Sequence, residues 1–509
     1  MIHKISYAFA GFLLLIFACS AIQSPEKTVS VKKDFDIDIK SLATRIDSIA
    51  AAVMPEQHIP GMAFTIVKDG QTILKNGYGT SDMYTGVQVD PDKTIFRIGS
   101  ISKAVTLLAL SKLIDDGRIG YEDDVTEYFP HVQNPNNYKE PLQIKHLLSH
   151  TTGLDQIGLD RHTWQLNLSL SERAKLRPSI DTFLQQHAIR RAPAGKRYVY
   201  DTYGTTLAGA IIEQVVGLPY KEAMKVVLFD PLGMTKSGVD LILEGHHHMA
   251  RGHGFNDGAY QVVPYELYTT TPASSIDATA GDMAQLLEML TSAKAGGGSN
   301  YLSRPMLERI FNQGYRPHPE FVGTSHGLHE GFYYGSDAAA YEVRSLAHGG
   351  DMYGYKAQFR ILPEYNIGIF VCSNRNRESG GGQVRIERNI INAVLDAIGV
   401  EKRSTLHEVP EKSSKDLSEY VGDYFYGVHC HTCTEEQYEE GAWRPSWTKT
   451  ITLSDGGLQF ESYKYFQRDK DVFVKEDGLD LILFNRDEEG KVIMLQQEDD
   501  NSTFEKSYD

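Results

Sequence analysis

The stretch Phe96-Arg97-Ile98-Gly99-Ser100-Ile101-Ser102-Lys103, continuing as Ala-Val-Thr-Leu-Leu-Ala-Leu-Ser-Lys-Leu-Ile, decides how the rest of the chain is read. From Ser102 to Ile114 it is apolar-rich and free of Gly and Pro, which predicts a buried helix. Gly99-Ser100 marks its start and Asp116-Gly117 its end. The Ser-x-x-Lys spacing puts Ser100 and Lys103 on one helix face, a turn apart. A serine hydroxyl is a weak nucleophile until something takes its proton. A nearby ammonium lowers the cost of negative charge, and a neutral amine can be the base itself. The helix N-terminus adds backbone N–H groups and the positive end of its dipole. The same four residues also describe an N-cap serine followed by a solvated lysine, so the surroundings must separate the two.

Outward from this helix, strands gather at both ends of one region. An amphipathic helix is expected from Ile37 to about Met54. A hairpin follows: Gly61 to Lys68, the turn Asp69-Gly70, then Gln71 to Tyr78. Residues from about 120 to 340 read mostly as helices and loops. Strands return at Arg344 to Ala347, Tyr355 to Leu362 and Ile367 to Cys372, and a last helix at Gly380 to Gly399. This order predicts a mixed α/β (α+β) fold: one antiparallel sheet built from both ends, with a helical subdomain beside it. The charged stretch 401–415 reads as a linker. Residues 416–509 alternate in short runs between turns, the pattern of a small β-barrel. The region ending near 400 is expected to fold without that barrel.

Three further stretches join Ser100: Leu147-Leu-Ser-His-Thr-Thr-Gly-Leu154, Pro193 to Gly209 with Tyr200-Asp-Thr202 inside it, and His348-Gly349-Gly350 before the strand hairpin. In this order and spacing they resemble the serine β-lactamase and penicillin-binding-protein superfamily. The resemblance runs from about 40 to 400 and is nearest the branch of class C β-lactamases, D-alanyl-D-alanine carboxypeptidases, D-aminopeptidases and β-lactamase-like esterases. It implies Ser100 as acylated nucleophile, Lys103 as its activating partner and Tyr200 as general base, its phenol lowered by nearby cations. It implies substrate binding by Thr202, His348 and Gly350, with Gly349 and Gly350 letting substrate lie close to the strand. It also implies an oxyanion hole from the Ser100 and Asp351 N–H groups. Thr202 stands where the family has Asn, which weakens the grip on a substrate amide. Ser149-His150-Thr-Thr-Gly reads as turn chemistry beneath the site. Tyr420-Val-Gly-Asp-Tyr424 resembles the opening of the lipocalin-like domains that follow many such hydrolases.

The 509 residues exceed one compact core, and a formal net charge of −16 excludes a nucleic-acid partner. Met1 to Lys4, an apolar run from Ile5 to Ala18 and Cys19-Ser-Ala21 form a signal peptide. Ile16-Phe-Ala-Cys19 resembles a lipobox, making Cys19 a lipidation site and the protein a lipid-anchored one of the periplasm or cell envelope. Residues 20–35 would be its tether, and ordinary cleavage near Ala21 is the alternative. Cys372 lies in an apolar strand and reads as a core thiol. His429-Cys430-His431-Thr432-Cys433 admits a local disulfide, free thiols or half a metal site, in that order. Gly245-His-His-His248 reads as a solvated loop. The reading is an exported serine hydrolase that needs no cofactor or metal. It would act on a D-amino-acid or cell-wall peptide or a carboxylic ester, with β-lactams behind these. A catalytically weak ligand-binding or sensor protein is the alternative.

Overall fold

The computed structural model describes residues 36–156, 168–292, 301–312, 314–319, 321–336, 339–375, 385–431, 433–434, 448–498 and 502–507. Helix α1 (Ile39–Glu56) begins at Asp38, whose carboxylate accepts from the Ser41 N–H. Strands β1 (Gly61–Lys68) and β2 (Gln71–Gly79) are joined through Asp69 and Gly70, both at positive φ (50° and 76°), as a two-residue hairpin requires. The sheet continues with strands from the far end of the region: β3 (Leu328–Ser336), β4 (Ala339–Met352), β5 (Tyr355–Leu362) and β6 (Ile367–Ser373). Its spatial order is β2-β1-β6-β5-β4-β3, with β1 against β6 antiparallel from Met62/Ser373 to Lys68/Ile367. The expected sheet from both ends is therefore the one observed.

Alternation along the strands fills two layers. Phe64, Ile66, Ile369 and Val371 face α1 and the last helix, Arg385–Ala397, while Ala63, Val67, Phe359 and Phe370 face the helical subdomain. Buried in that second layer is helix α2 (Ile101–Asp115), with every residue from Ile101 to Ser111 out of solvent. A helix apolar on all sides belongs inside a core. Cys372 is a free thiol in the sheet, fully buried, as expected of a core residue.

Eight described strands, from Gly422–Tyr426 to Thr503–Lys506, close an antiparallel barrel. Tyr420, Tyr424, Phe473 and Phe484 fill it. Residues 401–415 do not hang free. Lys402–Arg403 adds to the edge of β4, and the Leu406 and His407 N–H groups both donate to the Gly478 carbonyl of the barrel. Among the described residues the barrel packs on the sheet-bearing region on two sides. Val472, Val474, Leu481 and Leu483 meet Phe321 and Val322. On another side, Arg191 reaches the Gly427 carbonyl at 3.0 Å and Glu505 at 3.1 Å.

Candidate active site

Ser100 sits at the turn into α2. Gly99 takes φ +55°, and a Cβ there would stand 2.9 Å from the Asp351 nitrogen, so β4 runs directly beside the turn. Gly350 makes that approach possible, since a Cβ on it would come within 1.9 Å of the Ile98 carbonyl oxygen. Upstream, Phe96–Arg97 pairs with Ile276–Ala278, and the buried Arg97 guanidinium stacks on Tyr265 at 3.8 Å and lies 3.7 Å from Asp277. The Ile276 N–H donates to Ser102 Oγ, tying the same segment to the first turn of α2.

The surface-helix reading of Ser-x-x-Lys does not describe this pair. Ser100 occupies the N-cap position, but its hydroxyl caps no helix N–H. Lys103 is 2% exposed, with Nζ 3.3 Å from Ser100 Oγ and 3.2 Å from the Ala273 carbonyl. Burial brings the amine down from 10.5 to about 7, against the opposing pull of Asp201. A neutral amine can donate to the Ala273 carbonyl and accept the Ser100 hydroxyl proton on its lone pair.

Tyr200 lies in hydrogen-bond contact with Ser100, and Lys103 Nζ is 4.7 Å from its ring centre. Its phenol departs from the expectation of a lowered pKa. Burial raises it above its ordinary value, and the Ser100 hydrogen bond offsets this only in part. The cause is visible around the ring. The imidazoles of His150, His329 and His348 stand 5.5, 6.0 and 6.0 Å from it. Burial holds each of them below the usual histidine range, with Lys103 adding to the effect, so none supplies the positive charge that would draw the phenol down. His348 Nδ1 meets the Gly349 carbonyl at 2.6 Å, which fixes the proton on Nδ1. As a neutral ring it brings no positive charge to the site.

Asp201 was not singled out in the sequence, yet it organises this corner. It caps helix Thr202–Val216 by accepting from the Gly204 N–H at 2.6 Å, and it also accepts from Thr152 Oγ1 and from Gln156 Nε2 at 2.7 Å. Gln156 Oε1 accepts the Thr202 N–H at 3.0 Å. The Thr-Thr-Gly-Leu-Asp-Gln run thus holds the Tyr200-Asp201-Thr202 segment in place from below. The signal was legible as an aspartate before a helix. His329 offered none, being a single histidine in a strand.

Two chambers meet at Ser100, Tyr200 and Asp351. One, of about 220 Å³, is lined by Lys103, Thr202, Tyr203, Tyr268 and Met352. The other, of about 310 Å³, is lined by Tyr198, His329, His348 and Gly349, and by Tyr426, Val428, Ser502 and Thr503 of the barrel. Gly349 lines the chamber and Gly350 does not. Gly350 is packed against the Ile98 carbonyl, strand to turn.

A family model described as Beta-lactamase matches residues 46–391. The chain belongs to that family. Protein flp of Staphylococcus aureus (strain MRSA252) is 25% identical over 341 residues, covering 66% of this chain and 63% of that protein, so the chain spans somewhat under two thirds of this curated relative. Two solved structures share the fold. SurE with D-Leu has a TM-score of 0.60 at 20% identity, over 91% of this chain and 100% of that one. The D-amino acid amidase from Ochrobactrum anthropi SV3, complexed with L-phenylalanine amide, has a TM-score of 0.53 at 20% identity, over 70% and 99%. The closed C-terminal barrel of this Beta-lactamase-family chain fits the lipocalin-like reading.

Cys430 and Cys433 are joined as a disulfide. Its sulfurs pack in the core of the hydrolytic domain, not of the barrel. Among the described residues, His429, His431 and Glu505 bring potential ligand atoms within 4.8 Å of one another. Glu505 is already met by Arg191 at 3.1 Å and Arg197 at 3.9 Å, cations that compete with a metal ion for it. His246, His247 and His248 are exposed. Cys19 and the tether lie outside the described residues. Among those residues no helix is long and apolar enough to cross a membrane.

Proposed function

We propose that this protein is an exported serine hydrolase that cleaves an amide or ester through an acyl-enzyme on Ser100. The observation that carries the proposal is a buried amine, brought down to about 7, 3.3 Å from the serine hydroxyl at a helix N-terminus. Lys103 takes the Ser100 proton as Oγ adds to the substrate carbonyl. The oxyanion forms against the Ser100 and Asp351 N–H groups. The C–N or C–O bond then breaks, and the departing group takes a proton from the phenol of Tyr200, which the Lys103 ammonium replaces. Water attacks the acyl-enzyme with neutral Lys103 again as base, releasing the acid and restoring Ser100. This exchanges the roles expected from the sequence: the amine is the base and the protonated phenol is the acid.

Charge in the chambers narrows the substrate. Among the described lining residues Lys103 is the one amine and the histidines are held neutral; Asp351 lines both chambers, with its carboxylate 3.4 Å from Lys356. Such a lining suits an uncharged ester or amide. It disfavours a carboxylate of the kind β-lactams and C-terminal peptides carry. A D-amino-acid amide or short peptide, or a carboxylic ester, is therefore the substrate class. The two structural neighbours, SurE with D-Leu and the D-amino acid amidase, support the first of these. The test is intact-mass analysis after exposure to a fluorophosphonate, a penicillin, short aryl esters and D-amino-acid amides, with turnover followed for each. Phosphonylation of Ser100 with turnover of an amide or ester, and little penicillin adduct, is expected. No adduct from any probe would leave a ligand-binding protein.

We also infer that the chain is carried out of the cytoplasm and held by lipid at Cys19, from the short apolar run and the small residue before that cysteine. Mass spectrometry of the mature N-terminus decides this. An unmodified terminus at Ser20 or later excludes the lipid anchor.

A further inference from the structure

The barrel's docking carries consequences for the reaction. The strap that leaves strand Gly422–Tyr426 does not stay with the barrel. The Gly427 carbonyl accepts from Arg191, Cys430 is 1% exposed within the hydrolytic core, and the His431 N–H donates to both Asp155 oxygens at 2.9 and 3.1 Å. Asp155 is fully buried and adjoins Gln156, which holds Asp201 and Thr202. The Cys430–Cys433 disulfide closes the end of this strap. The last barrel strand, Thr503–Lys506, is fixed nearby: Glu505 meets Arg191, Arg197 and His431, and these partners hold its carboxyl below the usual range although burial opposes them. Between these two anchored segments, Tyr426, Val428, Ser502 and Thr503 line the 310 Å³ chamber that Ser100 also lines.

We propose that the C-terminal barrel is the specificity element of the Ser100 site, its strap and last strand forming the wall that limits the length of the substrate group bound beside His329 and His348. The inference rests on the reading of Ser100 as acylated nucleophile and deepens it by assigning the size limit to named barrel residues. At 310 Å³ the chamber lies at the low end of small-ligand pockets, roughly 300–1,000 Å³. It accepts a group the size of one amino-acid residue or a short acyl chain, and Tyr426 and Val428 turn away anything that continues further. The limit is set by the barrel and not by the hydrolytic domain. A strap anchored by a disulfide, a buried carboxylate and an arginine holds that wall at a fixed distance from Ser100.

The experiment uses the full-length protein and two ester series. One is p-nitrophenyl esters lengthened from acetyl to decanoyl. The other is acetates of phenols bearing progressively longer alkyl chains. In the series whose variable end enters the chamber, wild-type kcat/KM is expected to fall with length. Tyr426→Ala should raise the long-to-short ratio by about tenfold or more, and Val428→Trp should lower it by a similar factor. The filling variant keeps the test decisive should the truncated one loosen the barrel. Ratios unchanged by both variants in both series would overturn the inference. Fluorophosphonate labelling of wild-type Ser100 is read in parallel. Label with unmoved ratios refutes the wall alone, whereas absence of label refutes the nucleophile and the wall together.

Discussion

If Lys103 is the base, the pH profile of the enzyme is set by how deeply that amine is buried. Burial takes it from 10.5 to about 7. At neutral pH roughly half of the molecules then hold the neutral amine, whereas an ordinary lysine would be neutral in only about three of ten thousand. The enclosed site therefore enriches the base on the order of a thousandfold. Acylation needs the unprotonated form, so kcat/KM should climb about tenfold per pH unit on the acid side and level off about one unit above the amine's own value. The assay is kcat/KM for a short carboxylic ester without an ionisable group, from about pH 5 to 9, with product measured chemically so that neither substrate nor reporter titrates in the window. Lys103→Arg should abolish the limb together with turnover, because a guanidinium stays protonated throughout. Tyr200 gives the opposite expectation: its phenol is raised by burial, so a phenolate base would place the limb above the ordinary tyrosine range. A rate still climbing at the alkaline end of the scan, or flat across it, would refute the assignment of Lys103.

Tyr200→Phe should slow amide turnover by about a hundredfold to ten-thousandfold but a p-nitrophenyl ester far less, since that leaving group departs without a proton. Equal losses on both substrates would return Tyr200 to the role of base. Thr202→Asn restores an amide where the family usually has one, and should raise penicillin acylation relative to aryl-ester acylation in a stopped-flow comparison. Gly350→Ala drives a methyl group to 1.9 Å from the Ile98 carbonyl and should lower stability in urea by about 1–3 kcal/mol, with loss of Ser100 labelling as β4 is pushed off the turn. Arg191→Met leaves Asp155 and Glu505 without their shared cation and should cost about 3–5 kcal/mol in the same unfolding assay.

Local chemistry made much of the fold legible. The Asp69-Gly70 hairpin, the buried run of α2, and β5 and β6 follow from turn residues and periodicity, and their observed limits agree with the expected ones within a residue or two. The strand expected from Arg344 to Ala347 stops short of His348 and the two glycines after it, which lie inside β4, because pairing with β5 carries the strand on to Met352. Barrel strands Tyr463–Asp469 and Thr503–Lys506 carry little alternation, with many half-buried positions, and closure of the barrel fixes them. Within the site, the motifs pointed to Ser100, Lys103 and Tyr200, but not to their charge states. A lysine at helical spacing looks like a cation on paper. Only the packing around Nζ, with the Ala273 carbonyl and no exposure to water beyond 2%, turns it into a base.

The barrel is where reading along the chain diverges most from the assembled molecule. A charged stretch at 401–415 and a change of texture after it argue for an appendage, and a hydrolytic domain ending near 400 is a reasonable inference from them. Yet the barrel residues that line the chamber with Ser100 stand at 426, 428, 502 and 503, each in a segment whose local pattern is unremarkable. Their placement depends on partners far away in sequence: Asp155 for the strap, Arg191 and Arg197 for the last strand, Phe321 and Val322 for the opposite flank. None of these partners carries a local signature, because a buried arginine or aspartate acquires its role only when the opposing charge arrives. A protein cut after residue 400 would keep Ser100, Lys103 and Tyr200 but would lose one wall of their chamber, along with the carboxylate that neutralises two arginines. On the proposed reading, the active site extends past the boundary of the motif-bearing domain.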